Sequence, residues 1–406
     1  MNTHIPGWIS YRLSDIYTER KEPGNESLPL LTVSIHSGVS DGELDEDELP
    51  KKVKRIEDKS QYKRAATGDL VFNMMRAWQG AIGTVRTEGM VSPAYIVAKP
   101  NGKVYPPFMD YYMKAPRMVG IINRQSYGVT DFRKRLYWDS FAPIPCVLPP
   151  VREQKRIAEI LSTQDKAIEL QGRKIEELKR FKKGCLEKMF PRKGQKVPEK
   201  RFPGFTDDWE QRKLGELGSL KNGMNFSKEA MGIGFPFVNL QNIFGNNVID
   251  VTNLGKAMAS DSQLKDYNLL NGDVLFVRSS VRLQGVGEAA LVPQNLENTT
   301  YSGFIIRFRD EYGLDNNFKR FLFGIESVRN QIIAQATNSA NKNISQTVLE
   351  NLCLKIPNKS EQENIGLYFS NLDKLITLHQ RKLDEMKKQK KALMQLLLTG
   401  IVRVRL

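Results

Sequence analysis

The sequence predicts an α+β protein made of two copies of one unit, each a globular domain followed by a long charged helix. Two observations predict this. Residues 153–189 recur without a gap as residues 361–397, with fourteen positions, from Glu153/Glu361 to Lys183/Lys391, identical at a constant offset of 208. Inside the globular regions the matches are sparser but stay in order. Gly68-Asp69-Leu70-Val71-Phe72 returns as Gly272-Asp273-Val274-Leu275-Phe276, Gln79-Gly80 as Gln284-Gly285, and Val91-Ser92 as Tyr301-Ser302. A chain of 406 residues exceeds what one core usually supports, so two domains are expected on size alone.

The division that follows is a globular domain over 1–150, a helical region over 151–190, a linker over 191–208, a second globular domain over 209–357 and a second helical region over 358–406. Each globular domain opens similarly, with Trp8 in WISYRLSDI and Trp209 in WEQRKLGEL. The Gly-Asp motifs read as turns leading into buried strands, and 317–336 reads as helical. In the helical regions Leu161, Gln164, Ile168, Gln171, Ile175, Leu178, Lys182, Cys185 and Met189 alternate at spacings of three and four. Phe369, Leu372, Ile376, His379, Leu383, Met386, Lys390, Leu393 and Leu397 do the same. That is the narrow seam of a coiled coil, and its polar interruptions require a partner. The economical partner is the other helix. At ~1.5 Å per residue each spans roughly 50–55 Å, with Gly172 and Gly184 weakening the first modestly. Pro191, Gly194, Pro198, Pro203 and Gly204 break regular structure in the linker.

The net charge of +15 points to a polyanionic partner, nucleic acid first. Thirteen of those charges lie in residues 151–201 and 358–406. A solvated helix face is the ordinary explanation, and proximity to phosphates the functional one. The acidic run Asp41–Glu48, followed by Lys51–Arg55, reads as a solvated loop, since it lacks the spaced ligands of a calcium site. The N-terminus shows no signal peptide, and no apolar run is long enough to cross a membrane. Cys146, Cys185 and Cys353 lie far apart, so neither a disulfide framework nor a metal site is read, and a cytoplasmic setting is expected.

Catalytic motifs are missing. There is no GxxxxGK[ST], and Gly285 to Gly287 lacks a dinucleotide context. Tyr105-Pro106-Pro107-Phe108 has the prolines of an amino-methyltransferase loop, but tyrosine replaces the polar residue, so a turn is the ordinary reading. Asp373…Glu385-Met-Lys387 imitates a nuclease motif on a heptad helix, where an i, i+2 pair points to different faces. No catalytic residue is assigned.

Several segments together resemble the specificity subunit of type I restriction-modification systems. They are RFPGFTDDWEQRKLGEL at 201–217, GDVLFVRSS at 272–280, NKNISQTVLENLCLKIPNKSEQENI at 341–365 and LLLTGIVRV at 396–404. The first copy adds GDLVF and FAPIPCVLPPVREQKRIAEIL at 141–161. The resemblance covers nearly the whole chain and departs from the family at HIPGW, which stands where the second domain has RFPGF. It implies two target-recognition domains separated by two long helices packed as an antiparallel coiled coil, with pseudo-twofold symmetry. Each domain would read one half of a bipartite, asymmetric site in double-stranded DNA. The helices would act as spacer and docking surface for two methyltransferase subunits, and restriction/translocase subunits would join. This chain would bind no cofactor, while the complex would use S-adenosylmethionine, ATP and magnesium. Two rivals stand beside it: a coiled-coil scaffold without sequence-specific DNA binding, and a stand-alone DNA-modifying enzyme.

Base edges are read by Arg, Lys, Asn, Gln, Ser and Thr on loops after rigid strands. The first domain offers Asn73, Arg76, Trp78 and Gln79 after GDLVF, then Arg124, Tyr127, Arg133, Lys134 and Arg135. The second offers Arg278, Ser279, Ser280, Arg282 and Gln284 after GDVLF, then Asn338, Asn341, Lys342 and Asn343. The basic residues are expected to hold phosphates while Asn, Gln and some Arg read bases. The competing explanation is that several merely solvate loop tips.

Overall fold

A computed structural model describes residues 5–35, 38–42, 58–128, 130, 133–337 and 341–405. Asn338, and all but the first two residues of the acidic-to-basic segment 41–55, lie outside the described residues. The chain divides into two compact units: Met1–Gly172 with Lys382–Leu406, and Arg173–Arg381.

Each unit is built on a four-stranded antiparallel sheet of the same strand order. In the first unit the order is Tyr17–Glu19, Tyr95–Pro100, Leu70–Asn73, Ile82–Thr84. In the second it is Gly218–Asn222, Ile305–Asp310, Val274–Val277, Ala289–Leu291. The unbroken apolar runs after Gly-Asp follow from burial on both faces, because successive side chains point to opposite sides. Leu70, Phe72, Ile96 and Ala98 enter one core with Phe108, Met109 and Phe141, whereas Val71 and Val97 enter another with Leu31 and Val91. The second unit alternates in the same way. Val274, Phe276, Ile306 and Phe308 pack with Phe318 and Phe323, while Leu275, Val277 and Ile305 pack with Val238 and Tyr301.

The Gly-Asp turn has a physical cause in both copies. Gly68 and Gly272 adopt φ of +92° and +91°, where a side chain would be strained. The following aspartate is buried, and it caps the turn and holds an arginine. Asp69 accepts from the Ala66 amide at 2.8 Å and from Arg20 Nε at 2.6 Å. Asp273 accepts from the Leu270 amide at 2.8 Å and from Arg309 Nη2 at 2.6 Å.

A two-stranded ribbon closes each globular part. Ile9–Arg12 pairs with Pro145–Leu148, and Glu210–Lys213 pairs with Cys353–Ile356. The strands Pro145–Leu148 and Cys353–Ile356 lead through a proline into the long helices Val151–Met189 and Lys359–Leu398. The heptad positions are the ones that face inward: Ile175 and Leu383 are buried and their neighbours are exposed. Gly172 and Gly184 do not interrupt the first helix.

Within each unit the helix segments run antiparallel. In the first, Gln164 Nε2 donates to the Met386 carbonyl at 3.4 Å, and Asp165 pairs with Lys390. In the second, Lys182 Nζ lies 2.5 Å from Asp373, and Cys185 Sγ lies 3.6 Å from the Tyr368 hydroxyl. The two ion pairs are one pair repeated, since 165 and 182 become 373 and 390 at the offset of 208. Lys182, Lys390 and Asp373 therefore hold the frame together. Asp373 also accepts from Arg320 at 2.8 Å, which accounts for its place in the nuclease-like motif.

Other joints repeat as well. The buried Gln154 accepts from the Tyr105 amide and donates to the Pro149 carbonyl; Gln362 does the same with Asp315 and Pro357. The buried Glu153 takes two hydrogen bonds from Arg403, and the buried Glu361 takes two from Arg201.

Two local expectations are corrected. Tyr105-Pro106-Pro107-Phe108 is not a separate turn, because Pro106 is itself the first residue of the helix Pro106–Lys114. A first-turn amide has no acceptor within its helix, so proline fits there at no cost in hydrogen bonds. The stretch 317–336 is two helices, Asn316–Leu322 and Glu326–Gln335. Asp315 caps the first by accepting from the Phe318 amide at 2.8 Å, and Phe323, buried against Phe276, stands in the break.

Candidate nucleic-acid interface

In both units one hydrogen bond ties the two candidate loops together. In the first, Met74 follows the central strand. Its amide donates to the Ala94 carbonyl at 3.1 Å, and its carbonyl accepts from the Leu136 amide at 2.9 Å. In the second, Arg278 takes that place. Its amide donates to the Phe304 carbonyl at 2.8 Å, and its carbonyl accepts from the Ile344 amide at 3.0 Å. Leu136 and Ile344 are buried and stand 208 residues apart. Segments far apart in sequence are thus fixed side by side at the same end of each sheet.

In the first unit Asn73 Oδ1 accepts from the Met75 amide at 2.9 Å, which shapes the turn and leaves Arg76 and Gln79 exposed. The Trp78 indole donates to the Met75 carbonyl at 3.0 Å, and Lys134 Nζ stands 5.9 Å from its ring centre. Lys134 also reaches Asn123 Oδ1 at 3.4 Å. Tyr127 and Arg135 exchange both main-chain hydrogen bonds, at 3.1 and 2.9 Å, and the exposed Tyr127 ring lies 5.5 Å from that of Tyr137. Arg133 and Arg135 are exposed, as is Arg124 in the last turn of Pro116–Gln125. The result is a basic surface in which Lys134 stands over the Trp78 ring.

In the second unit the loops form a short antiparallel ladder, Ser279 opposite Asn343 and Ser280 opposite Lys342. Ser280 Oγ accepts from the Arg282 amide at 3.1 Å, and Arg282 and Gln284 are exposed. Arg278 Nη1 lies 3.4 Å from the Gly303 carbonyl. The Asn343 amide donates to Thr337 Oγ1 at 3.0 Å, and its side chain donates to the exposed Asn341's carbonyl at 2.8 Å. This surface is richer in serine and amides than in cations, and such groups read base edges by direction as well as by charge.

The structure therefore gathers the candidates of each unit into one patch, Asn338 excepted. Sequence reasoning missed two contributors. Phe304 is more than half exposed beside Arg278. Arg329 is half-buried and donates from Nη2 to the Gln284 carbonyl at 2.6 Å, which braces the tip of the first loop. No sequence signal marks Arg329, since its partner is a main-chain atom on another element. Among the described residues no helix is long and apolar enough to cross a membrane.

Comparison with known proteins bears on the family and the fold. The type I restriction modification DNA specificity domain matches residues 52–180 and 206–388. The type I restriction enzyme MjaVIII specificity subunit of Methanocaldococcus jannaschii is 24% identical over 336 residues, covering 78% of this chain and 75% of that protein. A chain from a structure of type I R-M system assembly superposes with a TM-score of 0.62 at 15% identity, covering 97% of this chain and 98% of that one. The HsdS subunit of Thermoanaerobacter tengcongensis gives a TM-score of 0.55 at 18% identity, covering 98% of both chains. The duplicated sheets, the paired long helices and the family match together mean that this chain belongs to the type I restriction-modification DNA specificity family.

Proposed function

We propose that this chain is the non-catalytic specificity subunit of a type I restriction-modification complex, and that each unit reads one half of a bipartite DNA site. The observation that carries the reading is the repeated joint at Met74–Leu136 and Arg278–Ile344, which presents two different sets of side chains on one scaffold. In this reading Arg124, Arg133, Lys134 and Arg135 hold phosphates, while Asn73, Gln79, Arg278, Arg282, Gln284 and Asn343 address bases. The long helices serve as spacer and as docking surface for two methyltransferase subunits, and restriction subunits complete the assembly. Those partners supply the chemistry of S-adenosylmethionine, ATP and magnesium. The lack of recognisable catalytic motifs in this sequence supports that division of labour, and a cytoplasmic setting is part of the same reading.

The test is a comparison of genomic adenine methylation in a strain with and without this chain. Loss of one bipartite motif is expected. Adding one heptad to each long helix should then widen the unread spacer while both half-sites stay the same. An unchanged methylome on deletion removes the proposal.

A further inference from the structure

One side chain in the second unit's loop is not explained by hydrogen bonding to bases or phosphates. Val281 is 80% exposed, more than any other large apolar residue among the described residues. The exposure does not come from a slack loop. On one side Ser279 and Ser280 are held in the ladder with Lys342 and Asn343. On the other, the Arg282 amide bonds Ser280 Oγ, the Gly285 amide bonds the Arg282 carbonyl at 3.0 Å, and Arg329 grips the Gln284 carbonyl. A β-branched side chain with few rotamers is thus held in water on a braced tip, where burial against a partner is favourable.

Its neighbours indicate the partner's chemistry. Arg282 and Gln284, exposed on the same tip, are donors and acceptors suited to base edges, so a surface that meets this tip meets Val281 with them. In the major groove the one apolar feature that distinguishes bases is the 5-methyl group of thymine. We propose that Val281 packs against a thymine 5-methyl group and so selects an A·T pair at one position of the site. The proposal rests on the reading of this patch as a DNA-recognition surface.

The test uses the full chain assembled with its methyltransferase partners and duplexes carrying the methylated motif. Each thymine on either strand is replaced in turn by deoxyuridine, which removes only the methyl group. At one position the substitution should weaken binding by the wild-type complex roughly three- to ten-fold, the effect of one lost methyl contact. A Val281→Ala complex should bind the thymine and uracil duplexes equally at that position. The side chain is exposed, so this variant keeps its fold. The inference is overturned by a wild-type complex indifferent to uracil everywhere, by a motif without thymine, or by a Val281→Ala complex that still discriminates. Unchanged DNA binding with lost methylation in Val281→Ala also overturns it, because Val281 then meets a protein. A wild-type complex that binds no bipartite sequence is a separate failure, that of the recognition reading itself.

Discussion

In the first unit the joint beside Met74 carries Trp78, Lys134, Arg133 and Arg135, whereas the joint beside Arg278 carries a serine ladder closed by Asn343. The main-chain hydrogen bonds of the two joints are the same, and the buried residues that anchor them, Leu136 and Ile344, occupy the same place in the repeat. What varies is the chemistry of the side chains: cationic and aromatic in one unit, hydroxyl and amide in the other. A surface dominated by cations is suited to phosphates, which carry no sequence information, and one dominated by short directional groups is suited to bases. The comparison teaches that duplication preserved the frame and left the tips free to diverge.

The sharpest way to separate frame from tip is to break the frame at equivalent places. Arg201 and Arg403 each make two hydrogen bonds to a buried glutamate, but side-chain exposure is 12% for Arg201 and 40% for Arg403. Removing Arg201 leaves Glu361 with an unpaired buried charge. Arg201→Ala should therefore destabilise the second unit by about 3–5 kcal/mol. Arg403→Ala should cost the first unit less, because water already reaches that guanidinium. Urea unfolding of the two variants, followed by near-ultraviolet signals of Trp209 and Trp8, measures the difference; equal losses would refute it.

A smaller effect is expected at the tips. Arg278→Ala or Arg282→Ala should weaken binding of the cognate duplex by about tenfold and relax base preference in one half-site only. Arg133→Ala in the first unit should instead lower affinity for all sequences and reduce the salt dependence by about one phosphate contact. Salt titrations on cognate and scrambled duplexes distinguish the two patterns, and a change of base preference in Arg133→Ala would reverse the assignment.

The smallest effect concerns the thiols of the matching ribbon strands. Cys146 is buried and Cys353 exposed. Burial pushes the Cys146 thiol up to about 12, aided by the nearby Asp15. The fold then keeps a proton that the unfolded chain releases, so this contribution is intact below pH ~8.5 and is lost as pH rises toward 12. Cys146→Ala should flatten the alkaline decline in stability between those limits. In the native wild type a thiol reagent should label Cys353 well before Cys146, and comparable labelling rates would contradict the burial.

Much of the frame was legible in the sequence because its causes are local or repeated. The heptad seam, the Gly-Asp turn and the two-faced apolar strands each rest on neighbouring residues, and the sequence shows them twice, the seam at an offset of 208 and the Gly-Asp turn with its strand at 204. The break at Phe323 was missed although Gly324, a poor helix former, stands in it; a single glycine does not by itself end a helix, and the packing of Phe323 on Phe276 completes the interruption. The candidate tips were found by their position after GDLVF and GDVLF. Their joining was not, because Met74–Leu136 and Arg278–Ile344 are main-chain contacts that no residue type announces. Arg329 escaped for the same reason, and Val281 because an apolar residue on a loop draws no notice until its exposure is known.

The first unit contains residues from both ends of the chain, and the second lies wholly between them. During synthesis the second unit has all its residues once Arg381 has emerged from the ribosome. The first must wait until Leu397 and Leu398 fill its core and Arg403 reaches Glu153. Domains generally fold as units as the chain emerges. Here the N-terminal half is synthesised first and completed last, so a nascent chain released early would carry a finished second unit and an open first one. A half-made subunit could then grip only one half of a target.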